Sequence, residues 1–256
     1  MGGAKEKIRF MTKQQPKTSK TRSDLVSMAN GKIYILHGWA YSKSKWSPFV
    51  SLLKKRGLTP ILVNIPGLTE KINKPWGIEN YKNWLYKKLE KEKDVVLIGH
   101  SNGGRIAMAF TIAHPKKVRK LVLIDSAGIY HNELSLKIKR SLFKKAAKIG
   151  KILLPSEKAK DLLYFLTGEK DYKNASPNMK KTMVNLIESD KGLGIDQISV
   201  PTIIIWGRDD KTTPTSDGKI LNAKIKDSKL FLIDGAKHSP QFTHPQQVTD
   251  IILKEL

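Results

Sequence analysis

The sequence predicts an α/β fold: a mainly parallel central sheet flanked by helices, interrupted once by an inserted helical segment. Two observations carry that prediction. Several short runs of Val, Ile and Leu are continuously apolar, the pattern of strands buried on both faces and hence of a parallel sheet covered by helices. These runs alternate with stretches of helical period, except between residues 130 and about 194, where only helical patterns occur.

From residue 32 the elements follow in order. "KIYILHG" is a short apolar run ending in a turn, and "KWSPFVSLLKKRG" is a helix stopped by Gly57. "TPILVNIPG" is a second strand. "GIENYKNWLYKKLEKEKD" is an amphipathic helix, because Ile78, Tyr81, Leu85 and Leu89 recur at helical spacing. "VVLIGHS" is a third strand, "NGGRIAMAFTIAHP" a helix and "VRKLVLIDSAG" a fourth strand. The interruption contains "NELSLKIKRSLFKKAAKIGKIL", "EKAKDLLYFLTG" and "NMKKTMVNLIES", all helical. After Pro201 the alternation returns: "TIIIWGRDD" (strand), "TSDGKILNAKI" (helix), "KLFLIDGAKH" (strand) and "HPQQVTDIILKEL" (helix). The division that results is a basic N-terminal segment at 1–30, read as a tail or as weak edge strands, a core formed by 31–129 and 195–256, and a helical cap insertion at 130–194 packed over one end of the sheet.

Composition narrows the function classes. With 256 residues and 39% hydrophobic content the chain can bury a proper core. No apolar run approaches the ~20 residues that span a bilayer. The basic N-terminus has no apolar segment behind it, so no signal peptide is expected. The chain has no cysteine, which excludes disulfides and thiolate metal sites and agrees with a cytoplasmic protein. The net charge of +24 comes mostly from lysine: only seven of the 47 basic residues are arginine. Arginine is the residue favoured for bidentate recognition of phosphates and bases, and the lysines are scattered over most helix faces. A generally solvated basic surface therefore explains the charge better than a dedicated nucleic-acid site.

The chemistry concentrates at "GHSNG", residues 99–103, which fits G-x-S-x-G. A strand precedes it and a helix follows, so Ser101 stands on a sharp strand-to-helix turn. Bulky neighbours would collide there, and glycine flanks the serine on both sides. The turn lifts the hydroxyl above the C-terminal edge of the sheet, where open α/β sheets bind ligands, and sets it near a helix N-terminus that favours developing negative charge. The bland alternative is a helix-capping serine followed by an Asn-Gly turn.

A serine hydroxyl needs a base to take its proton. Of six histidines, His37 follows an early strand and His100 adjoins the serine but points away if strand geometry persists. His114 reads as a helix C-terminal cap, His131 opens the insertion, and His244 leads into the last helix. His238 lies in "DGAKHSPQF", the loop after the last strand, at the same sheet edge as Ser101, and is the best base candidate. An acid must orient it. Asp209 and Asp210 emerge after the penultimate strand, and Asp125 at the end of "LVLID" is a third candidate, with a turn or cap as its alternative role.

In these pieces the chain resembles the α/β-hydrolase fold superfamily, in its capped, serine esterase- and lipase-like form. The resemblance rests on "HGW" after an early strand, "GHSNGG", "WGRDDKTTP" and "GAKHSPQF", in the superfamily's order Ser, Asp, His, and it covers roughly residues 32–256. It implies Asp210 as the acid, three residues after Gly207 and four before Pro214. It also implies an oxyanion hole from the N–H groups of Trp39 and Asn102. One departure is that the superfamily usually begins with an antiparallel hairpin, and residues 1–30 show no clear one.

The resemblance implies a serine hydrolase acting on a small-molecule carboxylic ester of small to medium acyl chain, through an acyl-enzyme intermediate, with no cofactor and no metal. No His/Asp/Glu set at metal-ligand spacing and no dinucleotide fingerprint is found. A C–C bond hydrolase of the same fold would use the same three residues, and a non-catalytic binding protein would need none of them. The insertion should roof the site. Tyr130, Phe143, Tyr164 and Phe165 are candidates to line its pocket, although aromatics at helical spacing are more often core. In its first helix Leu134, Ile138, Leu142 and Ile149 share one side, while Lys137, Arg140, Lys144, Lys148 and Lys151 share another. An ordinary cap helix explains this, and weak contact with an anionic membrane surface is the sharper alternative.

Overall fold

The computed structural model describes residues 8–9, 32–39, 43–130 and 176–256. Seven strands are found among them: β1 (Ile8–Arg9), β2 (Ile33–Leu36), β3 (Pro60–Leu62), β4 (Val95–His100), β5 (Val118–Ile124), β6 (Thr202–Gly207) and β7 (Ser228–Ile233). They form one sheet in the order β1-β7-β6-β5-β4-β2-β3. Every pairing is parallel. The helices are α1 (Lys43–Lys55), α2 (Ile78–Lys88), α3 (Asn102–Ala113), α4 (Pro177–Ser189), α5 (Thr215–Lys224), the one-turn α6 (Pro240–Thr243) and α7 (Pro245–Glu255).

Alternate residues of each strand point to opposite faces, and each face carries its own core. On one, Ile33, Ile35, Val96, Ile98, Val122 and Ile124 pack with Trp46, Phe49 and Leu53 of α1 and Val248, Ile251 and Ile252 of α7. On the other, Tyr34, Leu36, Leu97, Leu121 and Leu123 pack with Tyr81 and Leu85 of α2, Ile106 and Phe110 of α3 and Leu221 of α5. Apolar residues on both faces of a strand are what the continuous Val/Ile/Leu runs encode. Each side chain so buried contributes about 1.5–3 kcal/mol relative to exposure. Among the described residues no helix is long and apolar enough to cross a membrane.

Two particulars differ from the sequence reading. The second strand is only Pro60–Leu62, because β3 is an edge strand with a single neighbour, β2. Helix α6 follows His238 directly, in a stretch whose four residues show no periodicity. The described N-terminal pair, Ile8–Arg9, takes the edge-strand alternative: it lies in parallel beside Leu230 and Phe231, at the edge remote from β3. Of the three helices expected between residues 130 and 194, the last is α4. The other two, and with them the basic amphipathic face, lie outside the described residues.

Helix α4 is fixed to the core by polar contacts. Thr182 Oγ1 accepts from Trp76 N at 2.9 Å, and Asn185 Nδ2 donates to Trp76 O at 3.1 Å. Helix α3 lies unusually close to β2. A Cβ on Gly103 would stand 2.1 Å from Leu36 O, a backbone atom with no freedom to retreat. Gly103→Ala should therefore lower the unfolding free energy by about 3 kcal/mol, read as a lower urea midpoint at unchanged slope.

Candidate active site

Because β4, β5, β6 and β7 are adjacent and parallel, their carboxyl ends lie side by side at one edge of the sheet. Ser101 follows β4, Asp125 follows β5, Asp210 lies just past β6 and His238 past β7. The topology alone thus gathers the serine, the histidine and all the candidate acids.

At Ser101 the backbone turns sharply, with φ 52° and ψ −121°. A non-glycine residue is strained there and needs the surroundings to hold it. They do so at both ends: Ser101 N donates to Ile124 O at 3.1 Å, while Ser101 O accepts from Gly104 N and Ala127 N, each at 3.0 Å. The turn after β2 lies directly against the serine, since a Cβ on Gly38 would come within 2.9 Å of Ser101 Cβ.

His238 lies between the other two members. Its Nε2 is 3.0 Å from Ser101 Oγ and its Nδ1 is 2.7 Å from Asp210 Oδ2. The Asp210 carboxylate accepts only, so Nδ1 carries the proton and Nε2 is left to accept from the serine hydroxyl. Asp210 is buried and held on both oxygens. Oδ1 accepts from Thr212 N at 2.7 Å and Thr213 N at 3.2 Å, and Oδ2 accepts from Thr213 Oγ1 at 2.7 Å. Asp209 is exposed; its N–H donates to Ala236 O at 2.9 Å, which draws the His238 loop over the end of β6. Arg208 pairs with Asp234.

Several neighbours of the site lie within the sequence motifs, but nothing in the sequence assigned their contacts. His37 Nδ1 lies 2.8 Å from Gly38 O, which can only accept, so His37 donates. The Gly38–Trp39 peptide is planar, and a fixed Gly38 carbonyl aims the Trp39 N–H the opposite way. The His100 ring lies against His238, centroids 5.1 Å apart, and its Nε2 is 3.1 Å from His238 O. Burial, with His238 adding to it, holds the His100 imidazole well below its ordinary range, so it stays neutral and donates from Nε2. Thr213, visible only as part of "DDKTTP", also lies 3.2 Å from His238 Nδ1.

Asp125 stands at φ 41°, fully buried. Its Oδ1 accepts from Gly207 N at 2.8 Å, whereas Oδ2 is buried with no hydrogen-bond partner among the described residues. Burial first, and Asp210 second, push this carboxyl well above the usual carboxylate range. Asp125, His100 and His238 present one ligand atom each within 4.8 Å of one another. A metal there would compete for His238, whose two ring nitrogens already face Ser101 and Asp210.

Asn102, the first residue of α3, is buried, and the N–H groups of a helix's first turn have no partner within the helix. Trp39 is partly buried against the core. Tyr130 is 40% exposed with Lys191 Nζ 5.6 Å from its ring centroid. Phe143, Tyr164 and Phe165 lie outside the described residues.

The family model described as the alpha/beta hydrolase fold matches residues 32–149. The monoacylglycerol lipase ABHD6 of Homo sapiens is 26% identical over 251 residues, covering 86% of this chain and 74% of its own. The 2-hydroxy-6-oxononadienedioate/2-hydroxy-6-oxononatrienedioate hydrolase of Cupriavidus pinatubonensis is 24% identical, covering 86% and 85% of the two chains. Among solved structures, an esterase from Exiguobacterium antarcticum aligns with a TM-score of 0.68 at 19% identity, over 88% of this chain and 91% of that one.

The raised Asp125 carboxyl has a consequence for stability. The native state keeps a proton that the unfolded chain loses above about pH 4, so this group lowers stability as pH rises toward its folded value. Asp125→Asn keeps an oxygen for the Gly207 N–H and removes the titration. The melting temperature of the variant minus that of the wild type should grow as pH rises above about 4, where the unfolded carboxyl ionises and the native one keeps its proton. A difference that stayed flat over that range would contradict a raised native pKa.

Proposed function

We propose, from the premise that the chain belongs to the α/β-hydrolase superfamily, that it is a serine hydrolase of carboxylic esters with small to medium acyl chains. The observation that carries this reading is the continuous line from Ser101 Oγ through His238 to Asp210, at 3.0 and 2.7 Å. In it Ser101 Oγ attacks the ester carbonyl carbon as His238 Nε2 takes its proton. Asp210 holds the imidazole in the tautomer that leaves Nε2 free and stabilises the imidazolium that forms. The carbonyl π electrons pass to oxygen, where the N–H groups of Trp39 and Asn102 receive the charge. The tetrahedral adduct collapses, His238 returns the proton to the departing alcohol, and the acyl group stays on Ser101. Water, deprotonated by His238, then releases the acid by the same sequence. Every proton in this cycle is moved by His238, so the reaction requires neither metal nor organic cofactor.

Ester cleavage is favoured by the likeness to a protein named a monoacylglycerol lipase. A C–C bond hydrolase is the second reading, because the Cupriavidus pinatubonensis relative bears such a substrate in its name and the same three residues could serve. A binding protein without activity would have no use for a donor-wrapped Asp210 behind a correctly tautomeric histidine. The lack of cysteine is compatible with a cytoplasmic location, and weak contact with anionic lipid would bring a lipid ester to the site.

The test is hydrolysis of p-nitrophenyl esters from acetate to palmitate by wild type, Ser101→Ala and Asp210→Asn. Wild type should show a chain-length optimum at short or medium acyl groups. Ser101→Ala should lose about six orders of magnitude in kcat and Asp210→Asn about four. If wild type and Ser101→Ala were equally inert, and a fluorophosphonate left Ser101 unlabelled, the ester reading would fall and C–C substrates would be the next assay.

A further inference from the structure

Arg105 stands on α3 one turn beyond the serine, buried, and its guanidinium grips two residues at once. Nε and Nη2 fork onto Asp190 Oδ1 and Oδ2 at 2.6 and 2.8 Å, and Nη1 donates to Asn102 Oδ1 at 2.6 Å. Both side chains of the ion pair are only 6% exposed. Asp190 comes from another part of the chain, the turn just after α4, on the return from the insertion to β6. Burying two charges is costly, and an apolar pair of similar volume often serves stability as well or better. Stability alone is therefore a poor reason for this arrangement.

Its geometry suggests a different one. Asn102 opens the helix, where N–H groups lack helical partners, and an asparagine side chain left to itself hydrogen-bonds to nearby backbone. A loose Asn102 Oδ1 would compete for the same first-turn N–H groups that a substrate oxyanion needs. Arg105 removes that competitor by occupying Oδ1, and Asp190 fixes Arg105 in turn. We propose that Arg105 and Asp190 are positioning residues for the oxyanion hole: their buried ion pair holds the Asn102 side chain, keeps the Asn102 N–H clear for the oxyanion, and couples that donor to the seating of α4. The inference rests on the serine-hydrolase reading above, and on Asn102 N–H as an oxyanion donor.

The contacts of α4 extend the coupling. Thr182 and Asn185 bind the Trp76 backbone, so α4 and the turn carrying Asp190 are seated on the core at two separate places. A shift of α4 would pull the Asp190 carboxylate from Arg105 and release Asn102.

The experiment compares wild type with Asp190→Asn and with the double variant Arg105→Met/Asp190→Leu, which removes the ion pair but keeps the site filled should the single variant fold poorly. Two quantities are read on folded protein: kcat and KM for the best p-nitrophenyl ester, and the inhibition constant of a matched aryl trifluoromethyl ketone. That ketone adds Ser101 Oγ to its carbonyl carbon, the proton going to His238, and leaves an oxyanion in the hole. The expected result is a kcat lower by about 10- to 100-fold, KM changed by less than about threefold, and a ketone inhibition constant raised in step with the loss in kcat. A purely structural ion pair would move the melting temperature and leave kcat and ketone affinity per folded molecule as in wild type; that outcome in the double variant overturns the proposal. A wild-type enzyme that neither hydrolyses the esters nor reacts with the ketone at Ser101 would instead overturn the reading on which it rests.

Discussion

The turn at Ser101 is the constraint on which the rest of the structure depends. A residue with a side chain is held at φ 52° between the interior strand β4 and helix α3, a conformation disfavoured in isolation by about 1–3 kcal/mol. It persists because Ile124 O, at the end of β5, and Ala127 N, just beyond it, bind the Ser101 backbone, and because α3 can come down close onto β2 over Gly103. The same closeness brings the Gly38–Trp39 turn against the serine. Moving the helix away would relax the turn and disperse the donors gathered around the hydroxyl.

Around that turn two buried carboxyls receive opposite treatment. Asp210 is wrapped by two backbone N–H groups, the Thr213 hydroxyl and the His238 ring. Asp125 has a single N–H donor, and its second oxygen is buried with no hydrogen-bond partner among the described residues. The first environment suits a carboxylate and the second a neutral acid, and the raised pKa of Asp125 follows from it. His100, buried and kept neutral, hydrogen-bonds the backbone of His238 without competing for its protons. One charge at Asp210 beside a neutral Asp125 and a neutral His100 is a consistent setting for a histidine that must alternate between its two forms.

Much of this was legible in the sequence, for definite reasons. The strands were visible because β4, β5 and β6 lie inside the sheet, and burial on both faces leaves a continuous apolar run; β3, at the edge, left a weaker trace and proved shorter than its apolar stretch. The helices α2, α3 and α7 were visible through period, and α6 was not, since one turn has no period to detect. Ser101, Asp210 and His238 could be singled out as candidates because each lies in the segment just after a strand, and in a parallel sheet all strand ends at one edge are neighbours. His37, His100 and Thr213 sit beside those motifs, but nothing in residue type or spacing assigns their hydrogen bonds.

The sequence by itself determined the class of fold, the edge at which chemistry-bearing residues collect, and the order in which they arrive, because those depend on local periodicity and on the direction of parallel strands. Only the tertiary structure gave the 2.7 Å contact of Asp210 with His238 beside an exposed Asp209, the unequal surroundings of Asp125 and Asp210, and the union of Arg105 with Asp190 across 85 positions of chain. These are contacts between residues distant in sequence, fixed by how helices and loops dock on the sheet. No window of neighbouring residues contains that information.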